Sequence, residues 1–560
     1  MRALRIATSS LLGFALTAFA QGAEPKPAAP IDFTAAEHTA AADPLLTAML
    51  AELQREQQLL ILPGMQRPYF MEYRLDDFAS YEAVANYGAV SREQRGHQRI
   101  VRVSVRIGDY ASDSSTSRGD GTVELAPRDN DPQALHYALW TATDEAYKGA
   151  LRAYAAKQAA LKRFEKAPTA EDFSRIPAVQ RIEPLVSLSL DEAAWNKRIA
   201  EASGLFLTDP ALAAAAPHVQ YSSADVRGLA VNRYLVNTEG TVFRHGYASY
   251  GANYNVGGQA DDGMSLSRAN GTAAAKADEL ESAAAFHKRV VDDVLSYEAL
   301  RNAPVADAED FHGPVLFSGD ASADVLSRLF LPNVEADRPE MGTTARTVGA
   351  YQSSFRARVL PDVLDVTDNP LEATFAGKSL IGAYAIDDEG VPAKPVELVE
   401  KGKLENYLIG RTPVRDFPIS NGHGRAAPGQ PAHSRAGVMI FKSTSPISSA
   451  ELHQKLIGMA KEQGRDVYEV ETMGGELAPR LLYRVHPDGT RQLVRGAIFD
   501  ELDNRSLRSD IVAAGGDPYV DNMTGPIPET IIAPSLLFGD IGVKRASEEQ
   551  QKLPYYAPPK

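Results

Sequence analysis

The side chains that could assemble a hydrolytic metal centre are spaced in this chain so that no helical pair of ligands forms. Eleven histidines lie between His38 and His486, and the nearest two, His423 and His433, are ten residues apart. Two imidazoles share a zinc ion from one helical face at a spacing of about three to five residues, which none of these meets. Cysteine is absent, so thiolate ligands, disulfides and a cysteine nucleophile are excluded. No Gly-x-Ser-x-Gly elbow occurs, and no serine is followed three residues later by lysine. Gly377-Lys378-Ser379 has the ending of a phosphate loop, but Glu372 stands where its first glycine belongs, so a turn before a strand is expected. Asp261-Asp262-Gly263 and Asp387-Asp388-Glu389-Gly390 lack the regular ligand spacing of a calcium loop and read as solvated turns. His287, among charged neighbours in a helical stretch, reads as a surface or packing histidine. Asn421-Gly422-His423-Gly424-Arg425 remains. A histidine and an arginine on a glycine-rich loop can approach a ligand's backbone or carboxylate, so Asn421, His423 and Arg425 are candidate peptide-cleft residues; the competing reading is a flexible connector.

The elements that must position these residues follow from periodicity. Asp43 as N-cap and Pro44 in the first turn open a helix with Leu46, Met49, Leu50 and Leu53 on one face. Val101, Val103, Val105 and Ile107 alternate with polar residues, a half-buried strand. A second helix is expected from Asp131-Pro132 to about Phe164, and a third over 275–300 with Phe286, Val290 and Val294 aligned. Asn237-Thr238-Glu239-Gly240 signals a hairpin. After residue 303 strand signals and Gly/Asp turns dominate, broken by helical stretches at 321–331 and 450–462. The expectation is an α+β protein. An N-terminal α/β domain (43–303), with helices on a sheet, precedes a mainly β C-terminal domain (304–546) and a tail (547–560).

Composition bounds the class. With 44% hydrophobic and 23% charged residues this is an ordinary globular chain, and 560 residues are too many for one core. The net charge of −15 argues against nucleic acid or anionic lipid as a partner. Residues 1–20 read as a signal peptide. Arg2 and Arg5 flank an apolar run at 11–20, and Ala18-Phe19-Ala20 places cleavage before Gln21. That run falls short of the ~20 residues that span a bilayer. Export to the periplasm or medium is expected, with no membrane span in the mature form. The lead at 21–42, Pro/Ala-rich to residue 30, is expected to be disordered.

Several landmarks, taken in order, resemble the TldD/PmbA (TldD/TldE-like) metallopeptidase family. They are Asn237-Thr238-Glu239-Gly240, then Asp262-Gly263-Met264 through Arg268 to Gly271-Thr272-Ala273, and Gly382 through Asp387-Asp388-Glu389-Gly390. The run ELVEKGKLENYLIGR to Arg411, the 421–425 loop, Gly474-Gly475 and Ala533-Pro534-Ser535-Leu536-Leu537 complete the set. The resemblance spans about residues 45–545. It implies, in active members, His-Glu-x-x-x-His on the helix opening the second domain and a late cysteine as third zinc ligand. Here Phe317 and Ser318 stand at the first histidine and the glutamate, Ser322 at the second histidine, and 519–524 lacks cysteine. The pattern is similar to the PmbA/TldE branch, whose members lack zinc and pair with an active TldD-like subunit.

The resulting expectation is a non-catalytic partner subunit of a TldD-type peptidase acting on extended or unfolded peptides. It would carry no cofactor of its own, zinc residing in the partner, and would be inactive alone. Two alternatives stand beside it: an active metallopeptidase with atypical ligands such as Asp320 and Asp324, and a stand-alone exported peptide-binding protein.

Overall fold

A computed structural model describes residues 31–115, 121–163, 170–307 and 311–546. The expected signal peptide, most of the lead and the C-terminal tail fall outside them. The molecule is α+β. Asp43 caps the helix Pro44–Leu59 by accepting from the Leu45 and Leu46 amides, as its sequence requires. The second long helix is Pro132–Leu161, capped by Asp131; Phe164 lies outside the described residues. The third starts later than expected, at Ala283, because Ser282 caps it and residues 265–274 are drawn into a strand. The part of the lead that is described is ordered: Thr34–Ala40 is a helix with Ala36 and Ala40 buried among the apolar residues of Pro44–Leu59. The Pro/Ala-rich composition stops at residue 30, and past it the neighbouring helix supplies a surface on which Ala36 and Ala40 are buried.

The N-terminal sheet is built on two long strands, Phe70–Asn86 and Ala89–Arg106, joined by Tyr87 and Gly88. Both turn residues have positive φ, the type I′ geometry that matches strand twist. Seven strands take part: Tyr221–Asn237 lies beside the first strand, Val242–Gln259 beside Tyr221–Asn237, and Ser265–Ala274 on the outer part of Val242–Gln259. Period-two alternation then divides the residues between two faces. Met71, Tyr73, Leu75, Tyr81, Ala83 and Ala85 point to the helix-covered face. Arg74 and Asp76 point the other way, as do Arg233, Leu235, Phe243 and His245 on the neighbouring strands. That second face meets the C-terminal domain, where Leu235 and Phe243 pack on Ile386.

The C-terminal domain is mainly β, with one six-stranded and one seven-stranded sheet. Strand Phe311–Phe317 lies inside the larger sheet and leads directly into helix Gly319–Leu329. This helix is wedged between the sheets, touching Val467–Met473 of one and Glu529–Ala533 and Tyr519–Met523 of the other. Its residues Ala321, Ala323, Val325 and Leu326 sit in the largest apolar cluster of the protein. Helix Ser449–Gln463 covers the outer face of the seven-stranded sheet through Leu452, Leu456 and Ala460. A Ser448/Glu451 capping box starts it and left-handed Gly464 ends it. Among the described residues no helix is long and apolar enough to cross a membrane.

Candidate functional site

The helix that opens the second domain holds none of the chemistry of a zinc peptidase. Phe317 is the last residue of the preceding strand, fully buried against Phe499 and Phe538 with ring centroids at 5.2 and 4.9 Å. Ser318 is the N-cap: its hydroxyl accepts from the Ala321 amide and donates to the Glu471 carbonyl at 2.7 Å. Only Ser322 lies within the helix, its hydroxyl turned back to the Phe317 carbonyl. The expectation that all three positions sit on the helix is therefore corrected, since the strand runs one residue further and the cap intervenes. From Gly319 to Val334 the chain contains no histidine, glutamate or cysteine, so no register of the motif supplies a ligand.

Carboxylates occupy this end of the domain instead. Asp320 and Asp324 on the helix lie near Asp521 on strand Tyr519–Met523. Burial, then the charge of Asp324, pushes Asp320 up to about 6, against the pull of Arg268. Burial and the charges of Asp320 and Asp324 push Asp521 up to about 6 as well. Asp324 is already paired with Arg328 at 2.7 Å. Among the described residues no three His, Cys, Asp or Glu side chains come together as a metal-binding group.

Several of the landmark segments, far apart in sequence, converge elsewhere, on the seam between the domains. Register places Asp76, Arg233 and His245 in one row across three adjacent strands. From the other side comes the turn Asp387-Asp388-Glu389-Gly390. Arg233, fully buried, bonds to Asp76 at 2.6 Å and to Asp388 at 2.5 Å, and His245 meets Asp388 at 3.1 Å. Burial opposes ionisation of Asp388, yet Arg233, His245 and Arg425 outweigh it and hold the carboxyl well below its usual range. Asp387 goes the other way, pushed well above it by burial and the adjacent Glu389 charge. The Asn237–Gly240 hairpin joins the same seam, with Glu239 bonded to Arg411 and Tyr110, each at 2.8 Å.

The glycine-rich loop is built into this seam and is buried there. The Gly424 amide donates to Asp387 and the Ala426 amide to Asp388, while the Asp388 amide donates to the Gly424 carbonyl. Glycine at 424 leaves room for the Glu389 carboxylate, which a Cβ there would displace. Asn421, His423 and Arg425 are all buried. The Asn421 side chain bonds the Tyr407 carbonyl and the Ile409 amide, and His423 bonds Asp368 at 3.1 Å. Arg425 donates to the Ala436 and Pro528 carbonyls and stacks 4.3 Å over the Tyr384 ring. Arg425 lines a cavity of ≈ 120 Å³ with Glu183, His245, Tyr247 and Tyr384. Sequence reasoning missed Arg233, Asp76, His245 and Tyr247. The one available signal was the presence of charged residues within otherwise apolar strands.

Residues 312–545 match the PmbA/TldA metallopeptidase C-terminal domain. Three solved structures share the fold over most of this chain. TldE from Thermococcus kodakarensis superposes with a TM-score of 0.58 at 13% identity, covering 89% of this chain and 99% of that one. A protein described as a candidate modulator of a DNA gyrase from Thermotoga maritima gives 0.56 at 15% identity, with 85% and 96% covered. One of like description from Bacteroides thetaiotaomicron gives 0.56 at 12%, with 91% and 98% covered. No curated protein matches the sequence.

Proposed function

This chain belongs to the TldD/PmbA family, and from that premise we propose that it is a non-catalytic partner subunit of a TldD-type metallopeptidase acting on extended or unfolded peptides. The observation that carries the reading is the helix between the two sheets. It keeps the family's position at the opening of the C-terminal domain, yet offers no histidine or glutamate to bind zinc or activate water. A subunit of this kind contributes walls to a shared cleft. Strand Tyr519–Met523, the outer strand of the six-stranded sheet, offers an edge on which an extended peptide can add as a further strand. We further propose export, with the signal removed before Gln21, so that the pair works outside the cytoplasm.

One observation favours the second reading, an active peptidase with carboxylate ligands: Asp320, Asp324 and Asp521 share one end of the motif helix. Its chemistry is poor for zinc. Oxygen-only donor sets suit calcium or magnesium better, and Arg328 and Arg268 already supply the positive charge there. The test is co-expression with a TldD-like protein, size-exclusion chromatography, and peptide cleavage by each chain and by the mixture, with zinc measured in each. A complex that cleaves, with zinc confined to the partner, is the expected result. Stoichiometric zinc and chelator-sensitive cleavage by this chain alone would establish the second reading. A partner fully active without this chain, and no complex, would leave a stand-alone binding protein.

A further inference from the structure

Glu529 stands at the mouth of the turn that ends the edge strand. Strands Tyr519–Met523 and Glu529–Ala533 form a hairpin whose last ladder pair is Met523 with Glu529. Parallel pairing with strand Val438–Ser443 sets Glu529 level with Gly437. Glu335 arrives at the same segment from the end of helix Leu331–Val334. It is buried, and its carboxylate takes Arg435 at 2.7 Å and the Ala436 amide at 3.2 Å. The two glutamates thus meet along residues 435–437, where the charge of Glu529 reaches Glu335. Among the described residues Glu529 has no hydrogen bond or ion pair of its own. We propose that the two glutamates form a pH-sensitive latch on this hairpin, closed while one of them holds a proton and released when both ionise. The proposal rests on the reading of Tyr519–Met523 as the edge that takes a peptide, and it makes that edge firm or loose according to pH.

The charges around the pair do not balance it. Arg435 is already engaged by Glu335. Arg425 spends its hydrogen bonds on the Ala436 and Pro528 carbonyls and lies 3.8 Å from Asp388. The other groups facing the pair are acids. Asp368 is held by His423 and the Gly437 amide, and Asp337 lies 3.5 Å from His433. Burial, then the Glu529 charge, pushes Glu335 up to about 8 against the pull of Arg435. Burial pushes Glu529 up to about 7 against Arg425 and Arg435. Such neighbours titrate as a pair, here above the value of about 4.3 for a solvated glutamate. The closed hairpin therefore binds more protons than the released one. Its hold is complete below about pH 4 and is lost as the pH rises through about 7 to 8. Glu529, with no bond to give up, is the group that moves, and it takes the closing ladder pair and the 524–528 turn with it.

The test is amide hydrogen exchange of the full-length protein at about pH 6 and about pH 8, with rates corrected for the chemical pH dependence of exchange. Residues 519–533 should lose protection roughly tenfold over that interval, the factor for one proton per pH unit. Helix Ser449–Gln463 should not change. Glu529→Gln keeps the neutral form at every pH and should hold the pH 6 protection at pH 8. Glu335→Gln, which keeps an acceptor for the Ala436 amide, should do the same. Asp521→Asn should retain the loss, because Asp521 titrates at about 6 and has ionised before the interval is crossed. Wild-type protection that stays flat, or falls equally in Ser449–Gln463, would overturn the latch. So would a loss that persists in Glu529→Gln. The experiment uses neither partner nor peptide, so its failure would leave the subunit reading untouched.

Discussion

Arg425 shows how a residue's chemistry is decided by where the chain puts it. A loop arginine beside a glycine contributes little to stability when solvated, but this one is buried, donates to two carbonyls and lies over an aromatic ring. Arg425→Ala would strip both carbonyls of a charged donor in a place water cannot refill without cost, and should lower unfolding stability by about 3 kcal/mol. Urea unfolding followed by fluorescence measures it. A change near zero would mean that the loop is solvated after all. Gly424→Ala should destabilise for a different reason, by about 1–2 kcal/mol. Its Cβ would run into the Glu389 carboxylate, so Glu389 must swing aside and give up the bond it accepts from the Arg411 amide. Rescue of Gly424→Ala by Glu389→Ala, read as recovered midpoint, distinguishes this collision from a general intolerance of the loop.

At the scale of elements, the motif helix carries its own pH dependence. Asp320 and Asp521 titrate at about 6 in the folded protein, above the value of about 3.9 in an unfolded chain. Folded protein therefore binds more protons in this interval. The stability these groups provide is complete below about pH 4 and is lost as the pH rises through about 6. Asp521→Asn should thus stabilise the protein at neutral pH by about 1 kcal/mol and change little near pH 4, as thermal midpoints across that range would show. A variant equally stabilised at both pH values would assign the effect to strand packing instead of charge. The same elements show what sequence can reveal. Helices opened by Asp-Pro and strands with strict alternation were legible because their signals are local. The burial of the 421–425 loop was not, because it depends on Asp387 and Asp388, more than thirty residues earlier, turning their carboxylates toward its amides. The step from strand to helix at Phe317 is local and was legible: Ser318 caps the helix by accepting from the Ala321 amide, three residues on.

Across the whole molecule, the seam decides whether the two domains behave as one. Arg233 stands on the N-terminal sheet, fully buried, between Asp76 of its own domain and Asp388 of the other. Register fixes the first contact and the acidic turn fixes the second, so the ion network forms only when both domains are folded and in place. Removing the cation while keeping the side chain's bulk, as in Arg233→Met, leaves two buried carboxylates facing each other. Breaking a buried pair this way typically costs about 3–5 kcal/mol. Asp388 still has His245 and Arg425 to turn to, and Asp76 has Arg74 at 3.5 Å, so the domains themselves should survive while their junction weakens. The expected outcome is a single cooperative transition for the wild-type protein in scanning calorimetry. Arg233→Met should split it into two, with the domains unfolding separately. A variant that keeps one sharp transition at the wild-type midpoint would show that the apolar contact of Leu235 and Phe243 with Ile386 is enough to couple the domains. The buried charges would then set which surfaces meet, and would add nothing to how tightly they are held.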